Sequence, residues 1–248
     1  MRNLPRNDPR QYDRLAGEWW RPDGAFELLH WLAEARARLV PPARRPDSVL
    51  LDIGCGAGLL APHIRAKGYR HVGVDLVRSA LDQAAEHGVT AIVGDAAALP
   101  VADGAVDVVA AGELLEHVPD LTATVAEVCR VLRPGGLLVL DTLNATLLSR
   151  VLAVGLGERM PGVPRGIHDP ALFVDPRRLA AECVRHGVRL EVRGVRPTVP
   201  ALLRWLLRAG RGAPAARRAQ IVPTWSTAVL YQGRGAKDGK RPASMGTG

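Results

Sequence analysis

The chain has 248 residues, enough for one α/β domain with additions and for a core that needs no disulfide or metal staple. Its three cysteines, Cys55, Cys129 and Cys183, are odd in number and form no CxxC pair, which excludes a disulfide framework and a structural zinc site and points to a reducing cytoplasm. The formal net charge of +8 is unevenly spread: residues 196–248 carry ten Lys/Arg and a single acid, Asp238, so one basic face is expected to be able to meet an anionic surface.

The first residues contain no apolar run of the signal-peptide kind, and no stretch approaches the length of a membrane span. Residues 1–45 hold five of the ten aromatics, Tyr12, Trp19, Trp20, Phe26 and Trp31, and are expected to form a helical lid. Within them Ala25–Leu39 reads as an amphipathic helix that Pro41-Pro42 ends. From Ser48 short apolar runs alternate with helical stretches, and Val49–Ile53, Val72–Leu76, Ala91–Gly94, Val106–Ala110 and Leu137–Leu140 read as buried strands. That rhythm predicts βαβ units and an α/β fold, a mostly parallel sheet with helices on both faces. Gly135-Gly136 reads as the turn into the fifth strand.

After Asn144 the alternation lapses. Leu147–Leu156 reads as a helix, followed by a Gly/Pro-rich loop through His168, a helix over Arg177–His186, a strand over Arg189–Val195 and a last strand over Ser226–Gln232. The α/β domain is therefore expected to run over residues 46–232, with 145–175 and 196–222 as insertions, and 233–248 as a disordered tail.

Chemistry is concentrated at the strand ends. In Leu50-Leu-Asp-Ile-Gly-Cys-Gly-Ala-Gly-Leu59 an apolar strand carries Asp52 and runs into Gly54, Gly56 and Gly58, a GxGxG turn that lets a ligand approach the main chain closely. Dinucleotide-binding enzymes use a similar turn, but with GxGxxG spacing and a device for pyrophosphate that is missing here; an amino-acid sulfonium suits the loop better. The second strand ends at Asp75, where a carboxylate can accept both hydroxyls of a ribose, and the third at Asp95, which can meet an adenine amino group. The alternative is that each Asp merely caps the helix after it. The fourth strand leads into Gly112-Glu-Leu-Leu-Glu-His-Val118.

These motifs, together with Leu132-Arg-Pro-Gly-Gly136 before the fifth strand, resemble the class I S-adenosylmethionine-dependent methyltransferases. Glu18-Trp-Trp-Arg-Pro-Asp-Gly-Ala-Phe-Glu-Leu-Leu-His30, Asp141-Thr-Leu-Asn144 and Gly166-Ile-His-Asp169 are similar to the corresponding segments of one branch, the ubiquinone-biosynthesis O-methyltransferases. The likeness covers about residues 12–180. It implies a Rossmann-like seven-stranded sheet and S-adenosyl-L-methionine as cofactor, with contacts carried over to Arg36, Gly54, Asp75 and Gly112. Arg36 would pair with the methionine carboxylate. At Gly112 the family can carry a larger side chain, so the contact there would come from the backbone. The acceptor it implies is a phenolic or catechol hydroxyl, with a polyprenylated quinone precursor as one candidate. Asp141 departs from the family, which often has a small hydroxyl residue there, and likeness fades after Val195. A methyltransferase of the same fold acting on a natural product, or a binding module that has lost catalysis, would share the general motifs.

A phenol becomes a far better nucleophile when a base or a metal removes its proton. Glu113, Glu116 and His117 stand at i, i+3 and i+4; on a helix they would share a face and could hold Mg²⁺ or another divalent cation, as the family resemblance implies. Alternatively the two acids complement a helix N-terminus and His117 lines the pocket. Without a metal His117 is the first candidate base and His168 the second, with Glu113 beside them; the remaining histidines read as surface or packing residues. Finally, residues 199–211 place Leu202, Leu203, Leu206 and Leu207 opposite Arg204, Arg208 and Arg211, with Trp205 at the margin. Such a helix either lies on an anionic membrane or packs its leucines on the domain. The basic stretch lacks interleaved aromatics and any RNA module, which sets nucleic acid aside.

Overall fold

The structure is a computed structural model that describes residues 4–21, 24–159, 165–208 and 220–239. The strands are β1 (Val49–Ile53), β2 (Arg70–Asp75), β3 (Thr90–Val93), β4 (Val106–Gly112), β5 (Leu132–Leu143), β6 (Val188–Pro197), β7 (Ile221–Thr224) and β8 (Leu230–Lys237). The helices are α1 (Arg10–Asp13), α2 (Glu27–Ala37), α3 (Ala61–Ile64), α4 (Arg78–Glu86), α5 (Leu121–Val131), α6 (Leu147–Ser149, continued by a π-helical stretch over Arg150–Leu156), α7 (Pro176–Arg185) and α8 (Val199–Arg208). The sheet order is β3-β2-β1-β4-β5-β8-β6-β7, parallel from β3 to β5 and antiparallel beyond. The chain leaves β1 toward β2 and later returns on its other side as β4, so the switch point of the topology lies between the ends of β1 and β4, where open α/β sheets bind ligands.

Both faces of the central strands are buried, which is why they read as continuous apolar runs. On β4 Val109 and Ala111 face a core with Val125, Val128, Leu179 and Cys183 from α5 and α7. Val108 and Ala110 face the opposite layer, with Ala37, Val40, Leu60 and Ile64. Local signals end the helices where they should: Asp120 caps α5 by accepting from the Ala123 amide, and Asp175 accepts from Arg177 and Arg178 at the start of α7, with Pro176 in its first turn.

Three expectations are corrected. The sheet has eight strands, not seven, because Ile221–Thr224 adds an antiparallel edge to β6; Pro223 is tolerated at an edge, where a missing donor leaves no ladder bond unmade. The last strand lies at Leu230–Lys237, so residues 233–237 are not a disordered tail but a strand between β5 and β6; residues 240–248 lie outside the described ones. Gly233 and Gly235 make that strand read as a tail, yet the lack of a side chain is what the position demands: a Cβ on Gly233 would stand 2.9 Å from Leu140 Cδ1. Third, Glu113–His117 is not helical. Glu113 has φ of +51°, the segment turns, and α5 begins only at Leu121. The helix expected over 199–211 is observed as α8, while Arg211 and the side chains of Leu206, Leu207 and Arg208 lie outside the described residues.

Candidate active site

The carboxyl ends of β1, β2 and β4 bring the sequence motifs to one edge. Gly54, Gly56 and Gly58 all have positive φ, so the loop after β1 turns in a way L side chains resist. Gly58 serves packing, since a Cβ there would crowd Ala84 on α4, whereas Gly56 lies under the ring of Trp19, 2.8 Å from a Cβ position. Asp52 is buried behind the loop, with His71 Nε2 at 3.3 Å. Asp75 accepts from the Gly56 amide at 2.9 Å and the Val77 amide at 2.8 Å, and burial pushes its carboxyl above the ordinary range. These bonds occupy one lone pair on each oxygen and leave capacity for two hydroxyls. Asp95 is exposed and accepts from the Ala97 amide at 2.9 Å, so both acids do the local turn work anticipated for them while keeping acceptor capacity. Beside Asp75 the side chain of Leu76 is 56% exposed, an apolar face that a flat base could cover.

Arg36, buried at the end of α2, donates through Nη1 to Asp141 Oδ1 at 2.6 Å. Gly112 is the register partner of Asp141, and the guanidinium passes through the space a side chain at 112 would fill.

On the other side of Gly112 lie the groups expected to handle the acceptor. Glu116 is fully buried; its Oε2 accepts from Thr142 Oγ1 at 2.7 Å, and burial raises its carboxyl to about 7. Burial and the nearby Glu116 raise Glu113 well above the ordinary range. His117 Nδ1 meets Asn7 Oδ1 at 2.6 Å, its Nε2 lies 3.5 Å from the Tyr12 hydroxyl, and burial holds it down at about 3, so the ring is neutral. It stacks on His168 with centroids 5.3 Å apart, and Phe173 meets His168 edge-on. Glu158 Oε1 stands 3.6 Å from His168 Nδ1.

Glu113, Glu116 and His117 do not fit a metal. The left-handed Glu113 and the turn after it break the helical face they were to share; Glu116 turns to Thr142 and His117 to Asn7 and Tyr12. Among the described residues no three His, Cys, Asp or Glu side chains are grouped to hold a cation. The residues do fit S-adenosylmethionine. Arg36 Nε is buried without a hydrogen-bond partner among the described residues, a donor that the carboxylate of such a ligand would satisfy.

The N-terminal segment closes this edge. Tyr12, Trp19 and Phe26 stack, the last two with centroids 4.0 Å apart, and Trp20 Nε1 donates to the Ala57 carbonyl at 3.1 Å. Sequence reading missed Asn7, Leu76 and Glu158. Asn7 reaches His117 from more than a hundred residues away, which no local pattern carries; Glu158 lies ten residues before His168 in an irregular stretch with no periodicity to mark it, and Leu76 was available as the apolar residue following the strand-end acid.

Comparison with known proteins agrees with this geometry. A family model described as a methyltransferase domain matches residues 51–140. The ubiquinone biosynthesis O-methyltransferase of Burkholderia thailandensis is 35% identical over 205 residues, covering 79% of this chain and 88% of that protein. Its counterpart from Thiobacillus denitrificans is 35% identical over 204 residues, covering 77% and 86%. Among solved structures, a Thermotoga maritima S-adenosylmethionine-dependent methyltransferase, described as a possible histamine N-methyltransferase, superposes with a TM-score of 0.65 at 19% identity over 92% of this chain and 99% of that one. A methyltransferase from Haloferax volcanii, solved with its Trm112 activator, gives 0.62 at 16% identity over 95% and 100%. At those identities the two structures bear on the fold alone.

Proposed function

The chain belongs to the ubiquinone biosynthesis O-methyltransferase family, S-adenosylmethionine-dependent enzymes, and from that premise we propose that it methylates a phenol or catechol hydroxyl, with a polyprenylated quinone precursor as natural acceptor. The observation that carries this reading is the pair of stacked imidazoles, His117 and His168, at the sheet edge beside Gly112, walled by Tyr12 and Phe173. A flat aromatic ring suits such walls, and a hydroxyl needs the proton acceptor they contain.

S-adenosylmethionine, when bound, supplies an electrophilic methyl group on a sulfonium with a good leaving group. Asp75 would accept from the ribose hydroxyls and Asp95 from the adenine amino group, and Arg36 would donate to the methionine carboxylate, while the loop from Gly54 to Gly58 and the Gly112 backbone permit close approach. Asp52 supports that loop from behind. The imidazole pair would take the proton of an acceptor hydroxyl and so free its oxygen to receive that methyl group. His117 is pinned by Asn7 and Tyr12; His168 has the Glu158 carboxylate at hand to compensate the charge a ring gains. Burial holds Glu113 uncharged and raises Glu116 to about 7, which lessens the repulsion an oxyanion would meet in the chamber.

A prenylated acceptor would be drawn from a bilayer, and two surfaces support that reading. Leu147, Leu148, Val151, Leu152 and Leu156 are exposed around Arg150, while Ala153 and Val154 of the same stretch pack toward Val195, Ile221 and Leu230. Leu202 and Leu203 on α8 are also exposed. Apolar side chains with flanking arginines suit an anionic interface. Among the described residues no helix is long and apolar enough to cross a membrane. The test is an acceptor panel with labelled S-adenosylmethionine: a catechol should gain a methyl on oxygen, and an aromatic amine of equal size should not. Methylation of the amine alone would reverse the assignment.

A further inference from the structure

Arg36 is only 7% exposed, yet its guanidinium reaches the seam between β4 and β5, where Nη1 donates to Asp141 Oδ1 at 2.6 Å. It reaches that seam through the space of a missing side chain. A Cβ on Gly112 would overlap Arg36 Nη1 and Cζ outright. Gly112 and Asp141 are neighbours across the two strands, so the opening and the counter-charge lie side by side. Asp141 is itself fully buried, and Gln232 Nε2 on β8 donates to its Oδ2 at 3.4 Å. Meanwhile Arg36 Nε is buried without a hydrogen-bond partner among the described residues.

We propose that Gly112 and Asp141 together position Arg36: Gly112 opens the passage, Asp141 anchors one edge of the guanidinium, and the unpartnered Nε edge is thereby presented to the carboxylate of the cofactor's methionine end. This rests on the assignment of Arg36 to that carboxylate. The guanidinium is planar and rigid, so fixing one nitrogen fixes the direction of the remaining donors. Without Asp141 the same cation would be buried and unpaired, and its long side chain would swing toward water, out of the site. Asp141 is a positioning residue in this scheme; it need not touch the cofactor.

Calorimetry on the full chain with two ligands tests the scheme: S-adenosylhomocysteine carries the carboxylate, and methylthioadenosine lacks it. Asp141→Ala should weaken S-adenosylhomocysteine by about tenfold or more, the scale of one hydrogen bond to a charged partner, and leave methylthioadenosine unchanged. Asp141→Asn keeps an acceptor oxygen in place and should restore most of the loss. Gly112→Ala closes the passage and should produce the same selective loss, and it carries the comparison, together with Asp141→Asn, if Asp141→Ala does not fold. A selective loss in Arg36→Ala, with none in Gly112→Ala or Asp141→Ala, would overturn the positioning scheme and leave the Arg36 assignment standing. Equal losses for both ligands, or an Asn variant as poor as the Ala variant, would likewise overturn it. If Arg36→Ala leaves the preference between the two ligands unchanged, the Arg36 assignment itself falls, and the scheme with it.

Discussion

Glu158 is a buried acid in a single 3₁₀ turn over Gly157–Arg159, and replacing it with Gln should uncover how the acceptor side is held together. It is 4% exposed and accepts from Arg6 Nη2 at 3.1 Å, the Gly166 amide at 2.9 Å and the His168 amide at 3.2 Å. Burial alone would raise its carboxyl, but the ring of His168, the Gly166 amide and Arg6 outweigh it and hold the group down at about 2, against an ordinary 4.5. A carboxyl depressed in the folded state stabilises the fold fully above its unfolded value and loses that contribution as pH falls through its folded value. The span from 4.5 to about 2 is worth about 3 kcal/mol. Arg6 is 47% exposed and its share is screened, which reduces the figure to about 2 kcal/mol. Glu158→Gln should therefore cost about 2 kcal/mol in urea unfolding at neutral pH, and the penalty should shrink through the window from 4.5 to about 2 until the two proteins are equally stable. A penalty of the same size at both ends of that window would refute the charge argument and leave only the misplaced amide to explain it.

Three further outcomes follow from the same geometry. Asp75→Ala should weaken cofactor binding by about tenfold or more in calorimetry, since two ribose hydroxyls lose a charged acceptor; unchanged affinity would remove the ribose assignment. Gly56→Ala puts a side chain at φ +51° and against Trp19, so both the melting temperature and cofactor affinity should fall, and normal values for both would mean that Trp19 does not seat on the loop. Changing Leu147, Leu148 and Leu152 together to Ser should reduce binding to anionic vesicles without lowering thermal stability, because these side chains are exposed; full vesicle binding would reject the membrane face.

The parallel half of the fold was legible because its central strands β1, β4 and β5 are buried on both faces and read as apolar runs, and because β2 and β4 end in an acid and a glycine of the kind a ligand edge demands. Val49–Ile53 is observed with the bounds read from sequence, and Asp75 and Gly112 fall at strand ends as anticipated. The antiparallel half was harder. β8 carries Gly233 and Gly235 because neighbouring side chains leave no room, and the resulting small, polar text mimics a tail. The turn at Glu113–His117 was hidden for a different reason. Its i, i+3, i+4 spacing suits a helix, but the Glu113 amide is taken by the Asp141 carbonyl at 2.9 Å, and the backbone goes left-handed to make that bond. Asp141 stood out in the sequence as a departure, but its meaning needed Arg36, more than a hundred positions away.

Catechol O-methylation is tested by methyl transfer from labelled S-adenosylmethionine to a prenylated catechol presented in anionic vesicles, with the product mapped by mass spectrometry. A methyl group should appear on a ring oxygen in the wild-type chain and be lost in Asp75→Ala. Cofactor bound to the wild-type chain with no methylated oxygen on any catechol would contradict the O-methylation assignment.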